Sequence, residues 1–193
     1  MEKGLRERIV DASVALVAES GVHALSFREV ARRAGVSHQA PYHHFGNRLG
    51  ILQAIAADGF TSLTAAVTQA ADAAGPDPGD ALEAAGRAYI AFARTHRGHV
   101  RVMFDRAIVT AHEATEPPDA TTDTYGVVRQ LAQSAHDAGL APGIPSETLA
   151  HLCWSTVHGL AVLVVDDVLP AKGGDADVVI DEVVRALSKL LRP

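Results

Sequence analysis

The chain has a single cysteine, Cys153, so no internal disulfide can form and nothing implies an oxidising compartment. Aromatic residues make up only 5% of its 193 positions, and alternation of β-branched with polar residues is scarce, which disfavours a sheet protein. The most apolar stretch, Leu149 to Val165, falls short of the roughly 20 residues that a membrane span needs. It is also interrupted by His151, Ser155, Thr156 and His158, so it reads as a buried helix and no membrane partner is expected. At the N-terminus, Glu2, Lys3, Arg6, Glu7, Arg8 and Asp11 break up any apolar core, and no signal peptide is read. Cytoplasm is the compartment expected. Positive charge is in deficit, with 17 Lys and Arg against 23 Asp and Glu, a net −6 that argues against a nonspecific nucleic-acid coat. A nucleophile elbow, a glycine-rich phosphate loop and paired carboxylates in a fitting context are all lacking, so no catalytic residue or cofactor is expected.

What is present is apolar and helical. Hydrophobic residues make up 48% of the chain, enough for a substantial core, and Gly and Pro gather at a few places. The pattern predicts an all-α protein of about nine helices. A first helix covers Gly4 to Ser20 and stops at Gly21, and a long one, capped by Asn47, runs to Ala73. Beyond the loop AGPDPG, Asp80 caps a helix to His96, and a short helix covers His99 to Asp105. Ala107 to Ala120 mixes apolar residues with Glu113, Glu116, Pro117 and Pro118 and reads as ending in an irregular loop. Further helices cover Thr121 to Ala138, Ser146 to Val165, and a last stretch opened by Asp175 or Asp177. Charge is uneven along this layout: residues 1–50 hold seven Lys/Arg and five Asp/Glu, whereas residues 51–193 hold ten and eighteen. A mildly basic head, 1–46, precedes an acidic body, 47–193, and phosphate contacts belong to the head.

Ser26 to Phe45 carries the most specific signal. Ser26 and Glu29 make an S-x-x-E capping box, and Phe27, Val30, Ala31 and Ala34 line one face of the helix that follows. Gly35 permits a left-handed turn, Val36 plugs the angle, and Ser37 is placed to cap a second helix from His38 to Phe45. Two helices joined by such a turn form a helix-turn-helix. Pro41 lies at the edge of the second helix's first turn, where a distortion is expected.

These fifty residues resemble the TetR family of bacterial transcriptional regulators. The match includes R-x-x-I-V-x-A-S from Arg6, AGVS from Ala34, Y-x-H-F from Tyr42, and Leu49 and Leu52 after the turn. Farther on, Trp154, His158 and Gly159 are similar to the W-x-x-x-H-G signature of one group of family C-terminal domains. The chain departs from the family pattern at Pro41, at Arg48 where lysine is common, and at Gly46, Asn47 and Gly50, which soften a usually more acidic turn. The resemblance implies a homodimeric repressor, released from a palindromic double-stranded DNA operator by a small-molecule effector. The rival reading is an all-α enzyme or small-molecule carrier whose helix-turn-helix is architectural.

In a helix-turn-helix the second helix enters the major groove and its N-terminal residues meet base edges. His38 and Gln39 are therefore the candidate base readers, with Arg28 at the margin of the site. Ser26, Ser37, Tyr42, His43, His44 and Arg48 are candidate phosphate contacts, and Phe45 is read as a packing residue. The clustered histidines do not read as a metal site, because adjacent side chains diverge on a helix and no cysteine or suitably spaced carboxylate completes a ligand set. In the body, Tyr89, Phe92, Met103, Phe104, Tyr125, Trp154 and His158 are candidate ligand contacts, against the reading that they only fill a core. The C-terminal helices are apolar on nearly every side, as burial against a second subunit would require.

Overall fold

A computed structural model of the chain describes residues 4–105, 107–108, 123–169 and 175–192. Among the described residues the fold is all-α, with helices α1 (Leu5–Ser20), α2 (Phe27–Ala34), α3 (Ala40–Phe45), α4 (Arg48–Ala73) and α5 (Pro78–Thr95). They are followed by α6 (Arg97–Met103), α7 (Thr124–Asp137), α8 (Ser146–Val165) and α9 (Ala176–Leu191), with a short 3₁₀ turn at Val22–Ala24. The expectation for Ala107 to Ala120 lies mostly outside the described residues.

Local chemistry accounts for most helix ends. Asn47 accepts from Gly50 N–H at 3.0 Å at the start of α4. Asp175 and not Asp177 caps α9, accepting from the Asp177 amide. Three boundaries beyond α4 differ from the sequence reading. Asp77, not Asp80, caps α5: its carboxylate accepts from Asp80 N–H at 2.9 Å. The reason is Pro78, whose fixed φ suits the first helical position and whose missing N–H has no partner to lose there. Asp123 accepts from Tyr125 N–H and so delays α7 to Thr124. The short helix after α5 begins at Arg97, two residues earlier than expected.

By contacts the chain forms two compact units, one drawn from Met1–Phe60 and His96–Pro118, the other from Thr61–Thr95 and Asp119–Pro193, with α4 supplying residues to both. The core of the first is built from Ile9, Val17, Val30, Ile51, Ile55 and Val102, all 0% exposed. Burying each such side chain is worth about 1.5–3 kcal/mol relative to leaving it in water. In the second unit α5, α7, α8 and α9 pack around Leu149, Ala150, Ala132 and Ala135. Among the described residues two helices, α4 and α8, are long and apolar enough to cross a membrane by length and composition. For α8 this corrects the reading that it is too short: the helix is 20 residues long, beginning at Ser146. Its contacts with α5, α7 and α9 are those of a core helix.

Candidate DNA-reading face and body cavity

Ser26 caps α2 by accepting from Glu29 N–H at 3.3 Å. The capping box is only half made, because the Glu29 carboxylate turns to Arg32 and Arg33, at 2.7 and 2.8 Å. Those bonds hold the Glu29 carboxyl down to about 2. Arg33 also reaches Glu19 at 2.7 Å, which ties α2 to α1. Gly35 adopts φ 63°, ψ 41°, the left-handed conformation that ends α2. Arg8 of α1 donates to the carbonyls of Ala34 and Gly35 at 2.6 and 3.0 Å, satisfying acceptors that the helix end leaves open.

The second helix starts later than the sequence reading placed it. Ser37 is not its side-chain cap; instead its carbonyl accepts from Ala40 N–H at 3.1 Å, and Gln39 is the N-cap. His38 and Gln39 therefore precede α3 in a turn that leads directly into it. The distortion expected at Pro41 has no cause, since Pro41 is the second residue of α3, where N–H groups have no intrahelical acceptor. Gly50 is not a softening residue either. A Cβ there would lie 2.1 Å from the Phe45 carbonyl oxygen, so only glycine lets α4 begin so close to the end of α3.

The nine candidate DNA contacts, Ser26, Arg28, Ser37, His38, Gln39, Tyr42, His43, His44 and Arg48, are all exposed. Tyr42 stands edge-on to Phe27, ring centroids 4.5 Å apart, which leaves it 55% exposed on a fixed base. Phe45 is half-buried against the first core, with the Arg6 guanidinium 5.3 Å from its ring centre. Arg48 has an architectural duty that the sequence did not show: Nε and one terminal nitrogen donate to the carbonyls of Leu25 and Val22 at 3.2 and 2.5 Å.

In the second unit, α8 presents Trp154 and His158 one turn apart. The imidazole stacks on the indole with planes 9° apart, and Nδ1 lies 2.9 Å from Tyr89 Oη. Burial drives the His158 pKa below the ordinary histidine value and raises that of Tyr89, so a phenol facing a neutral imidazole is the stable pairing. Tyr125 meets the indole edge-on at 5.5 Å and bonds His151 Nε2 at 3.2 Å. Beside this cluster is a cavity of about 40 Å³. Of the ligand candidates, Tyr89 and Trp154 line it; Phe92 is buried elsewhere in α5, and His158 and Tyr125 touch the lining residues from outside. Met103 and Phe104 belong to the first unit, Met103 fully buried and Phe104 edge-on to Phe60 at 5.5 Å. Sequence reasoning missed the walls given by Ala85, Gly86, Glu83, Val184 and Leu187. The signal available was the spacing of three and seven from Val184 to Leu187 and Leu191 on one face of α9.

An all-α fold carrying a helix-turn-helix with an exposed polar face defines a regulator of the helix-turn-helix class. The family profile described as "Bacterial regulatory proteins, tetR family" matches residues 9–55, and "Tetracyclin repressor-like, C-terminal domain" matches residues 82–187. The chain belongs to the TetR family, whose members are regulators and not enzymes. Over 55 residues it is 40% identical to the uncharacterized HTH-type transcriptional regulator TtgW of Pseudomonas putida, covering 28% of this chain and 41% of that one. Over 49 residues it is 41% identical to the HTH-type transcriptional regulator BetI of Serratia proteamaculans, covering 25% of each. These matches span less than half the length of the curated relatives. Among solved structures, a protein of unknown function from a Rhodococcus species superposes with a TM-score of 0.77 at 28% identity, covering 100% of this chain and 97% of that one. The TetR family transcriptional regulator PfmR from Thermus thermophilus gives 0.72 at 20% identity over 96% of this chain and 100% of that one, a likeness of fold.

Proposed function

We propose that the protein is a homodimeric transcriptional repressor that binds a palindromic double-stranded DNA operator through the head, 1–46, and is released by a small molecule held in the body, 47–193. The observation that carries this reading is the face around α3. Ser37, His38, Gln39, Tyr42, His43 and His44 are all exposed, while Arg8, Arg33 and Arg48 are engaged in bonds that brace the face. In the proposal His38 and Gln39 read base edges, Arg28 reads the margin, and Ser26, Ser37, Tyr42, His43, His44 and Arg48 position the duplex. The cytoplasm is the compartment in which such a protein works.

Dimerisation is supported by one face of α8 that the described residues leave uncovered. Leu152 and Leu163 are 44% and 41% exposed, with Gly159 between them and Val162 alongside. Among the described residues a Cβ at Gly159 would meet nothing within 4 Å, so the bare backbone answers no packing need there and suits close approach of a second copy. In this reading the Trp154, His158, Gly159 signature combines a cavity-wall indole and the imidazole stacked on it with an interface glycine. Effector action requires a higher affinity for the DNA-incompetent arrangement, since equal affinity shifts nothing. The test is capture of genomic fragments by the purified protein, followed by release with candidate metabolites. Selective capture with release by one compound supports the reading; capture without sequence preference overturns it.

A further inference from the structure

We propose that the body cavity takes an uncharged apolar molecule about the size of one aromatic ring, and rejects carboxylates and ammonium ions. The inference rests on the ligand-responsive reading above and specifies the chemistry of its effector.

The walls decide the class. Leu82, Val128, Leu131, Val157 and Val184 supply hydrocarbon from α5, α7, α8 and α9, and Ala85 and Gly86 thin the α5 wall. Among the described residues no lysine or arginine lines the cavity, and the one charged group there is Glu83. That carboxylate is already served by Arg87, whose Nε and a terminal nitrogen donate to it at 3.0 and 2.9 Å. Burial acts to raise the Glu83 pKa, but the bonds from Arg87 and Ser188 outweigh it and the carboxylate stays ionised. An anionic guest would meet this negative group and no cation. A cationic guest would have to compete for Glu83 with Arg87, a guanidinium held in place between Glu83 and Asp181, the latter at 2.7 Å. Stripping water from an ionic guest among these hydrocarbon walls costs more than the burial of one ring returns. Cys153, which also lines the space, has its thiol pushed up to about 11 by burial, so it adds no charge.

Size supplies the coupling. Apolar cavities of ~150 Å³ stay dry and accept benzene. At about 40 Å³ this one is smaller, so a ring must spread the surrounding helices to enter. A guest that fits only the spread arrangement has the differential affinity that a switch requires.

Trp154 is the chain's only tryptophan and lines the cavity, so its emission reports occupancy. The full-length protein is titrated with toluene, benzoate and benzylammonium, one ring in three charge states, following Trp154 emission and the melting midpoint. Toluene is expected to give a saturable change and a rising midpoint, with benzoate and benzylammonium at least tenfold weaker. Equal or tighter binding of either ion, or a toluene response that never saturates, overturns the proposal. Val157→Phe, which fills the space from α8, should abolish the toluene response. Should that variant not fold, Gly86→Ala places a methyl 3.2 Å from Val157 Cγ2 and should weaken the response several-fold. An unchanged response in a folded variant places the ring elsewhere and overturns the assignment. Parallel binding to the protein's own upstream DNA separates the two claims. DNA binding without ring binding sinks this inference alone; ring binding without DNA binding sinks the regulator reading alone.

Discussion

The imidazole of His158 lies on the indole of Trp154, ring centroids 5.8 Å apart, while its Nδ1 is hydrogen-bonded to Tyr89 Oη. Three side chains from two helices thus meet around a polar link inside an apolar unit. Protonating the imidazole would place a charge against the rings of Trp154 and Tyr89.

That arrangement sets a pH dependence. The folded pKa of His158 lies below its ordinary value of 6.5, and burial lowers that of His99 in the first unit as well, against an opposing bond from Asp58. In the window between the lowered and ordinary values the unfolded chain binds more protons, so stability falls as pH drops below about 6.5. Urea midpoints at pH 7.5 and 5 should show that loss, and His158→Gln should reduce it. Trp154 emission should dim over the same range, because an imidazolium quenches a stacked indole. A midpoint that is flat or rises on acidification contradicts the assignment.

Glu29 acts at lower pH. Its carboxyl is held near 2 against 4.5 in a free chain, so its contribution is complete above 4.5 and is lost as pH falls towards 2. Glu29→Gln should lower the melting midpoint at pH 7 by a small amount, since water screens these surface ion pairs, and the difference from the parent should vanish near pH 2.

Arg48 combines an internal bond with a proposed phosphate contact. Arg48→Lys keeps the charge but cannot fork to Val22 and Leu25 carbonyls, so it should lose about 1 kcal/mol of stability by denaturant melting while DNA binding is largely kept. Arg48→Ala should lose the same stability and also weaken all duplexes alike, with a flatter salt slope. If the lysine variant matched the parent in stability, the fork would be a surface contact of no consequence.

Gly50→Ala forces a methyl against a backbone carbonyl that has no flexible end to move. A loss of about 1–3 kcal/mol is expected. Hydrogen exchange should locate the loss in α3 and the start of α4. An unchanged melting curve would mean that α4 can begin without this close approach.

Gly159→Arg places a large cation on the open face of α8. Light scattering should show a monomer with unchanged helical content, since none of the described residues occupies that space. A dimer of parental affinity would move the interface elsewhere.

The helices were legible because their signals are local. Ser26, Gly35 and Asn47 state where an element starts or stops, and the 3.6 period of Phe27, Val30, Ala31 and Ala34 states which side faces in. The exposed candidates of the head follow from the same pattern, being what remains once the inward face is removed. Three things were out of reach. Asp77 and Asp80 can each cap a helix, and only the placement of Pro78 decides between them. Arg48 and Gly50 depend on partners 23 residues and five residues away, whose approach no periodicity announces. Met103 and Tyr89 have the same apolar character, yet pack in different units, because α6 associates with α1 while α5 associates with α7, α8 and α9. Hydrophobicity says that a side chain is buried and not which core receives it.

The central claim is that the face around α3 reads DNA sequence. It is tested most directly by measuring fluorescence anisotropy of a duplex from the protein's own upstream region against a scrambled duplex of equal length, across a range of salt. Tighter binding of the native duplex is predicted, with affinity falling as salt rises for both. The His38→Ala, Gln39→Ala double variant should lose the preference but not the salt dependence. Equal binding of native and scrambled duplexes by the parent, or no binding to that region or to any genomic fragment, would contradict the claim.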